Sequence, residues 1–372
     1  MEKTDILVLG NGFDIAHGLP TTYLEFLEFI NSYLGEDENC TDQLKEFIER
    51  FKSSKSTSQQ EVQKYLFDEW NGLLKYFLNL LGENTFGEKN GWIDFEKEIS
   101  QTIQMVDGVI SEESNNRRAL FLSGPRRNLA TILFNNEAEQ RIFLNNTLSD
   151  ESINSITNNL LHYLNTLTRL LEIYIVEYVE KIYIARRIPE IEALKNIKHI
   201  LNFNYTDTYR CVYENSDADC CFIHGRATND SSLDTCSLVL GIDEYLNDDR
   251  RDNDNKFIWF KKFYQRIYKE TSSDYIDWLE EHDKWNYDHK NSPPQILNIF
   301  FYGHSLDITD KDVLYRLIMH NNSKIHIFYH NKNAMAKQIS NLVKIISEDN
   351  LIAMTRGKNR VIEFIPVKSE KP

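Results

Sequence analysis

A glycine-rich turn near the start of the chain has the composition of an anion-binding site. Gly10, Asn11 and Gly12 follow the apolar run Asp5–Leu9, which has the length and character of a buried parallel strand. A helix is predicted to begin at about Phe13. Glycines at such a turn let the backbone approach a phosphate, and a helix N-terminus offers unpaired N–H groups. The sequence therefore predicts that this turn binds a phosphate group of a ligand.

The residues after the turn leave a second interpretation open. Ile15 stands where the third glycine of a dinucleotide-binding fingerprint would be, so the motif is incomplete. Gly18 and Pro20 predict the end of the helix, because Gly suits the C-terminal position and Pro cannot continue the hydrogen-bond ladder. The competing interpretation is a tight turn in which Asp14 only stabilises the helix dipole.

Polar residues follow a second predicted strand, Ile197–Phe203. In open α/β sheets, ligands bind beyond the carboxyl ends of the strands, so side chains at this position face the ligand crevice. Asn204 is the candidate that this argument selects. Thr206 and Asp207 belong to the same polar segment, and the alternative is that they only form a turn and cap the next helix.

Two further strand ends carry candidate residues. His224 comes directly after a short predicted strand, where an imidazole can act as a general base near neutral pH. Gly303, followed by His304 and Ser305, ends another strand and lets the backbone approach a ribose. A satisfied structural histidine and a simple turn are the alternatives at these two positions.

Metal binding is not predicted. The carboxylates Asp307, Asp310 and Asp312 have no matching His or Cys spacing, and their position is typical of a helix start. The five cysteines form no CxxC pair that could hold zinc, and their odd number does not suggest a disulfide framework. We therefore expect no zinc and a reducing compartment.

The predicted elements that position these residues alternate between strands and helices. Strands are predicted at Asp5–Leu9, Ile197–Phe203, Cys221–Ile223, Leu238–Leu240, Ile296–Tyr302, Ile325–Tyr329 and Val361–Ile365, with helices at Lys311–Met319 and Ala334–Ser347. This alternation predicts a doubly wound, mostly parallel α/β sheet covered on both faces.

Helical periodicity without strand signals predicts large insertions into this sheet domain. The predicted domains are an α/β core of residues 1–24 plus 190–372, a helical insertion at 25–189 and a smaller one at 248–291. Within the first insertion, the polar tract Ser53–Gln60 is predicted to be a loop. Within the second, the aromatic residues between Trp259 and Tyr268 are interpreted as core.

Composition and charge limit the classes of partner. The chain has 372 residues and a formal net charge of −15, which opposes a broad grip on nucleic acid, since such binding depends on Lys and Arg. A local basic cleft is the exception that remains, and its candidate residues are Arg117, Arg118, Arg126 and Arg127. Neither a signal peptide nor an apolar span of about 20 residues is evident, so we expect a cytoplasmic protein without a membrane anchor.

The order of these motifs resembles one family. The string LGNGFDIAHGLPTTY over Leu9–Tyr23, followed by NFNYTDT, IHG, LVLGID and YGHSL, resembles the AbiH family of phage abortive-infection proteins. The resemblance spans most of the chain. It implies a role in bacterial defence that arrests phage infection at the cost of host growth.

The same motifs resemble, more distantly, the Rossmann-like core of sirtuins and of sirtuin-like NAD-cleaving defence proteins. This resemblance implies that Asn204 and His224 are catalytic and that positions in and beside the same motifs contact the nucleotide. Those positions are Gly10, Asn11, Gly12, Asp14, Gly18, Pro20, Thr206, Asp207, Gly303, His304 and Ser305.

The chain departs from the sirtuin pattern at three points, which bear on the identity of the ligand more than on the fold. Asp14 replaces a small hydroxyl residue near the expected pyrophosphate, where a carboxylate must be turned away, paired or bound to ribose. Thr206 stands where the Asp of an Asn-x-Asp motif is expected, with Asp207 one position late. The zinc-binding cysteine pairs of deacetylating sirtuins are missing after His224.

The resemblance implies an antiphage effector that binds NAD or a related nucleotide and hydrolyses its N-glycosidic bond. One alternative is a metal-dependent nuclease or nucleotide hydrolase that uses Asp14 with Asp94 or Glu96. The other is a non-catalytic nucleotide sensor that recruits a partner. This role would involve further partners, namely a second copy of the chain, a defence-system partner protein or a phage-derived trigger.

Overall fold

The computed structural model describes residues 5–35, 40–82, 95–112, 116, 132–194, 197–215, 217–243, 255–357 and 360–367. The strands are β1 Ile6–Leu9, β2 His199–Asn202, β3 Asp219–Phe222, β4 Leu297–Tyr302, β5 Ser323–Tyr329 and β6 Ile362–Pro366. The α-helices are α1 Asn11–Ala16, α2 Tyr23–Leu34, α3 Asp42–Ser54, α4 Thr57–Gln63, α5 Gly72–Gly82, α6 Phe95–Ile110, α7 Glu137–Asn145, α8 Asp150–Glu177, α9 Pro189–Glu192, α10 Thr208–Tyr213, α11 Lys262–Tyr268, α12 Tyr275–Asp288, α13 Lys311–Ile318, α14 Lys332–Ile346 and α15 Glu348–Thr355.

The described residues fall into two compact units. The sheet unit comprises those within 1–21, 180–226 and 269–372, and the helical unit comprises those within 22–179 and 227–268. Helix α12, at Tyr275–Asp288, lies in the sheet unit, whereas the sequence predicts it within the smaller helical insertion at 248–291.

The sheet unit is built on six parallel strands in the order β3-β2-β1-β4-β5-β6. The chain starts in the middle of the sheet, adds β2 and β3 on one side, and then crosses to add β4, β5 and β6 on the other side of β1. This is the strand order of a Rossmann-like fold, and its reversal point lies between β1 and β4. The predicted fold class is confirmed.

Both faces of the sheet are covered, as the continuous apolar character of β1 predicts. Ile6 and Val8 pack on one face with the apolar sides of α12, α13 and α14. Leu7 and Leu9 pack on the other face with Phe13 of α1 and with residues of α9 and α10. Because successive side chains of a strand point to opposite faces, one four-residue strand contributes to both cores.

The described residues of the helical unit include an aromatic core and a buried charge network around Arg169. Arg169 of α8 is buried and donates to Glu61 of α4 through Nη2 at 2.6 Å and to Glu172 through Nη1 at 2.8 Å. Glu172 also accepts hydrogen bonds from the Thr228 N–H at 3.2 Å and the Ser231 hydroxyl at 2.9 Å. The network joins two helices to a loop, and each of its charges has an opposite charge beside it.

Two predictions within the helical unit are wrong. Leu238–Leu240 is buried but is not a strand, because the Gln265 side chain bonds both the N–H and the C=O of Leu240, at 3.2 and 3.0 Å. The tract Ser53–Gln60 is mostly helical. It contains the end of α3 and the start of α4, where the Ser56 hydroxyl accepts from the Gln59 N–H as an N-cap.

The aromatic segment Trp259–Tyr268, which ends with α11, is only partly core. Phe260 is fully buried, whereas Trp259, Phe263 and Tyr268 are exposed, so the core interpretation is wrong for these three residues.

Within the described residues, no helix has the length and apolar character needed to cross a membrane.

Candidate functional site

The carboxyl ends of β1, β2, β3 and β4 lie side by side at one edge of the sheet. Leu9 pairs with Asn202 on one side and with Tyr302 on the other, and Asn202 pairs with Phe222. The loops that follow these four strands contain the predicted site residues. The parallel order of the strands therefore brings these segments, distant in sequence, to the same edge.

The loops after β1 and β4 pack backbone against backbone. The Gly10 N–H donates to the Tyr302 carbonyl at 3.1 Å, and the Gly12 N–H donates to the Gly303 carbonyl at 2.9 Å. A Cβ atom on Gly10 would lie 2.6 Å from the His304 Cα, and one on Gly12 would lie 2.8 Å from the Gly303 Cα. These glycines are therefore required by the contact between the two loops.

This contact uses backbone groups that were predicted to hold phosphate. The N–H groups of Gly10 and Gly12 are engaged with the β4 loop, and the Phe13 N–H donates to the Gly10 carbonyl at 2.8 Å. Phosphate binding at this turn stays a prediction. The competing interpretation, a tight structural turn, accounts for each of these bonds.

The end of α1 follows the sequence prediction. Gly18 has a φ of +79°, and its N–H donates to the Ile15 carbonyl at 2.9 Å, which ends the helix in the left-handed conformation. The side chain of Asn11 holds the segment that contains Pro20, because it donates to the Thr21 carbonyl at 3.1 Å and accepts from the Thr21 hydroxyl at 2.6 Å.

The Asp14 carboxylate is buried and paired. It is 1% exposed, and its Oδ2 atom accepts a hydrogen bond from the Thr206 hydroxyl at 2.6 Å. Burial raises the pKa of Asp14 from 3.8 to about 6, although the polar side chains of Thr206, Thr208 and Asn204 act in the opposite direction. Its Oδ1 atom is buried without a hydrogen-bond partner among the described residues.

The loop after β2 is shaped by its own asparagines. Asn202 donates through Nδ2 to the Thr206 carbonyl at 2.9 Å and accepts from the Asn204 N–H at 3.0 Å. The Asn204 amide then donates to the Gly10 carbonyl at 3.2 Å. Asn204 is thus directed at the glycine turn, and its amide contributes to holding that turn in place.

His224 forms a buried pair with Asp310, for which the sequence carries no local signal. Its Nε2–H donates to Oδ1 of Asp310 at 2.9 Å, and both side chains are buried. The pairing assigns the proton to Nε2, so in the neutral ring the basic lone pair is on Nδ1. An imidazole oriented by a carboxylate is an arrangement that recurs in general-base catalysis.

Aromatic rings line the same edge beside this pair. The Phe203 ring lies edge-on to the His224 ring, with centroids 5.3 Å apart, and edge-on to the His304 ring at 4.3 Å. The His304 Nδ1 accepts from the Leu306 N–H at 2.9 Å. Ser305, the predicted ribose contact, is exposed and uses its carbonyl to accept from Asn341 at 3.0 Å.

An ion-pair cluster completes this edge. Asp207 accepts from Arg210 at 2.7 Å and lies 3.2 Å from Nη1 of Arg226, the residue two positions after His224. The Arg226 side chain stays 42% exposed. Burial raises the pKa of the nearby Glu180, and the guanidinium of Arg226 acts in the opposite direction. Sequence reasoning missed Arg226, although its place directly after the His-Gly pair was a usable signal.

The contacts separate into two groups at one edge. Asp14, Thr206 and Asn204 form the first with the glycine turn, and His224 with Asp310 forms the second. Asn204 belongs to the first group, and the ring of its chain neighbour Phe203 lies against the His224 ring of the second group. The loop after β2 therefore contacts both groups.

Comparison with known proteins decides the family. The family model described as "Bacteriophage abortive infection AbiH" matches residues 6–330, most of the chain. The chain belongs to the AbiH family. The AbiH match begins at β1 and extends past the end of β5, so it includes all four strand ends described above. A search of curated proteins and a search of solved structures found no match to the chain.

AbiH membership places the protein in bacteriophage abortive infection. The match includes the His224–Asp310 pair and the loops around Gly10 and Gly303. The more distant resemblance to sirtuins has no counterpart in the comparisons, so the ligand and the reaction belong to the proposal that follows.

Proposed function

We propose that this AbiH protein is an antiphage effector that binds NAD or a related adenine nucleotide and hydrolyses its N-glycosidic bond. The observation that carries the proposal is the oriented His224–Asp310 pair at the carboxyl edge of a sheet whose strand order reverses between β1 and β4. Open α/β sheets bind their ligands at that edge, beside the reversal point.

In this reaction the bond between the ribose C1′ and the nicotinamide nitrogen breaks, and its electron pair leaves with nicotinamide. Water adds to the oxocarbenium-like C1′ and loses a proton. His224 accepts that proton through the nitrogen opposite Asp310, and the products are nicotinamide and ADP-ribose. The protein has mainly to orient the ribose and the water, because the leaving group is already cationic.

The remaining residues have positioning and binding roles in the proposal. Asp310 is a positioning residue, since it fixes the His224 tautomer. Asn204 orients the ribose or the water from its place against Gly10. Ser305, on the exposed rim of the β4 loop, contacts the second ribose. The N–H groups of Gly10 and Gly12 are engaged with the β4 loop, so in this proposal they do not bind the phosphate. The half-exposed guanidinium of Arg226 supplies the positive charge for the phosphate instead.

Asp14 fits a contact with a ribose hydroxyl better than a contact with phosphate. Its buried Oδ1 atom has no partner in the described part of the chain, and a hydroxyl could donate to it. A carboxylate facing a phosphate would be repelled, whereas a sugar hydroxyl would satisfy the unpaired oxygen.

A non-catalytic nucleotide sensor is the second candidate. It is favoured by the intramolecular bonds that engage Gly10, Gly12, Asn204 and His224, because the same contacts suit a structural site. The metal-dependent alternative has weaker support. Asp94 lies outside the described residues, and Glu96 belongs to the helical unit, where it pairs with Lys262 at 2.8 Å.

The test is nicotinamide release from NAD by the purified protein, alone and with phage-infected lysate, measured by chromatography. The wild type should release nicotinamide in at least one condition. His224→Ala should lower kcat at least about 100-fold, the usual scale for a general base. Asp310→Asn should lower kcat less and displace the pH profile, because it disturbs the orientation and basicity of the imidazole.

His289→Ala is the matched control, since His289 is exposed directly after the end of α12 and lies outside the site. It should release nicotinamide at the wild-type rate. Full release by His224→Ala would overturn the proposed mechanism. Saturable NAD binding in calorimetry without any release would select the sensor instead.

A further inference from the structure

Two histidines and an aspartate meet at the opposite edge of the sheet. His282 and Asp283 lie on α12, and His320 lies between α13 and β5. The His282 Nδ1 atom is 3.0 Å from the His320 Nε2 atom, which is 3.5 Å from Oδ1 of Asp283. All three ligand-type atoms lie within 4.8 Å of one another.

The orientation of His282 is fixed by its second nitrogen. Its Nε2 atom lies 2.9 Å from the Gln295 carbonyl, and because a carbonyl only accepts, Nε2 carries the proton and Nδ1 carries the lone pair. The Asn286 side chain holds residue 295 in turn, accepting from the Gln295 N–H at 2.7 Å and donating to its carbonyl at 3.2 Å. Metal-binding histidines characteristically donate their other N–H to a carbonyl or carboxylate in this way.

The spacing matches an ion shared by the three side chains. Two Zn–N bonds of about 2.0–2.1 Å at a tetrahedral angle place the nitrogens about 3.3 Å apart, and a carboxylate oxygen falls at a similar distance. The observed 3.0 and 3.5 Å differ from that by a few tenths of an ångström. Without an ion, the His320 Nε2–H donates to the His282 lone pair, and a cation would replace that proton.

We propose that His282, Asp283 and His320 form a binding site for a divalent transition-metal ion of the zinc type. Two imidazoles and one carboxylate are ligands that Zn²⁺ accepts, and water completes a four-coordinate shell. The site has a buried and an open side, since His282 is 2% exposed and the Asp283 side chain is 55% exposed. The ion enters from the side of Asp283.

The role of this ion is structural. Gln295 lies two residues before β4 and His320 lies three residues before β5, so the cluster is at the amino ends of these strands, opposite to the edge that carries His224. An ion here joins α12 to the connection between α13 and β5. It is thus independent of the proposed nucleotide chemistry.

The test is Zn²⁺ titration of the untagged, chelator-treated protein by calorimetry, with Co²⁺ absorption spectra as a second readout. The wild type should bind one Zn²⁺ per chain, and bound Co²⁺ should show the visible bands of a four- or five-coordinate ion. Asp283→Asn should weaken Zn²⁺ binding at least about 10-fold. His320→Gln should abolish the site.

Asp288→Asn is the matched control, because Asp288 is an exposed carboxylate on the same helix outside the cluster. It should bind Zn²⁺ like the wild type, and Zn²⁺ should raise Tm in both. Folding of His320→Gln is checked by its Tm in chelator, and the exposed Asp283 position keeps the test valid if that variant does not fold. No saturable binding, or equal Zn²⁺ affinity in the wild type and Asp283→Asn, would overturn the proposal.

Discussion

Asp14 and Thr206 occupy two positions at which the chain departs from the sirtuin-like pattern, and they bond each other. The Thr206 hydroxyl donates to Oδ2 of Asp14 at 2.6 Å. A hydroxyl at 206 therefore accompanies the carboxylate at 14, where a second carboxylate at 206 would repel it. The Thr206 hydrogen bond favours the charged form of Asp14, and it offsets part of the cost that burial imposes on this carboxylate.

The raised pKa of Asp14 predicts a specific pH dependence of stability. The carboxyl ionises above 3.8 when unfolded and above about 6 when folded, so the folded state retains the proton in between. Its contribution to stability is full below pH 3.8 and is lost as pH rises through 6. A rise of about 2 in pKa corresponds to about 3 kcal/mol. Asp14→Asn should thus gain on the order of 3 kcal/mol relative to wild type between pH 4 and pH 7.

Urea unfolding of both proteins across this pH range measures the difference. Thr206→Val is the informative companion, because the Thr206 hydrogen bond lowers the pKa of Asp14. Without that bond the pKa rises further, and the pH-dependent loss should extend to higher pH. A difference between Asp14→Asn and wild type that stays constant from pH 4 to pH 7 would show that the carboxyl is not perturbed as described.

At the scale of elements, the contact between the β1 and β4 loops depends on the absence of side chains. Gly303 has a φ of +69°, and a Cβ there would collide with the backbone of Gly12 and Phe13. Gly357 has a similar φ of +80°, but no atom of the other described residues lies within 4 Å of its Cβ position. A side chain at either glycine would strain the backbone. Only a side chain at Gly303 would also collide with neighbouring atoms of the described residues.

This difference gives a matched pair of variants. Gly357→Ala should lower the free energy of unfolding by about 1–2 kcal/mol, the cost of a left-handed alanine. Gly303→Ala should lower it by at least about 3 kcal/mol, because overpacking adds to the same strain. Urea denaturation of both variants measures the two losses. Equal losses would mean that the loops separate without cost and that the glycines are not needed for their contact.

The elements that sequence patterns predicted well are those with a local signal. The apolar run of β1 and the turn residues after it predicted a buried strand and a short helix, and Gly18 predicted where that helix ends. The run Leu238–Leu240 has the same local character, yet the Gln265 side chain satisfies its backbone. A contact across 25 residues leaves no periodic pattern in the sequence.

The candidate site was predictable to the same extent. Asn204 and His224 follow strands, and a parallel sheet places strand ends at one edge, so their location could be derived. Asp310 could not be paired with His224, because the two are 86 residues apart and Asp310 has the appearance of a helix-start carboxylate. His282 and His320 were missed for the same reason, since their contact joins two separate elements.

At the scale of the whole molecule, the reversal of strand order and the family match both include the candidate site. The reversal of strand order lies beside β1, the strand with which the AbiH match begins. That match ends near β5, so α14, α15 and β6 lie beyond it. The part of the sheet that carries the candidate site is therefore the part that the family model covers.

The overall charge argues against nucleic acid as the substrate. With 57 acidic and 42 basic residues, the chain has a net charge of −15, which repels the phosphates of nucleic acid. Binding without sequence preference depends on Lys and Arg side chains that displace counterions from these phosphates. We expect no binding to a short DNA duplex at about 50 mM salt, where such contacts are strong. Fluorescence anisotropy of a labelled duplex measures this, with a basic DNA-binding protein as the positive control.

The arginines at 117, 118, 126 and 127 lie outside the described residues and are the candidates for a local exception. If they formed a basic cleft, binding would appear and would weaken with added salt. Four phosphate contacts predict a slope of roughly −3.6 for log K against log[salt] on duplex DNA. Such binding, lost in Arg117→Ala/Arg118→Ala/Arg126→Ala/Arg127→Ala, would favour the nuclease alternative over cleavage of a small nucleotide.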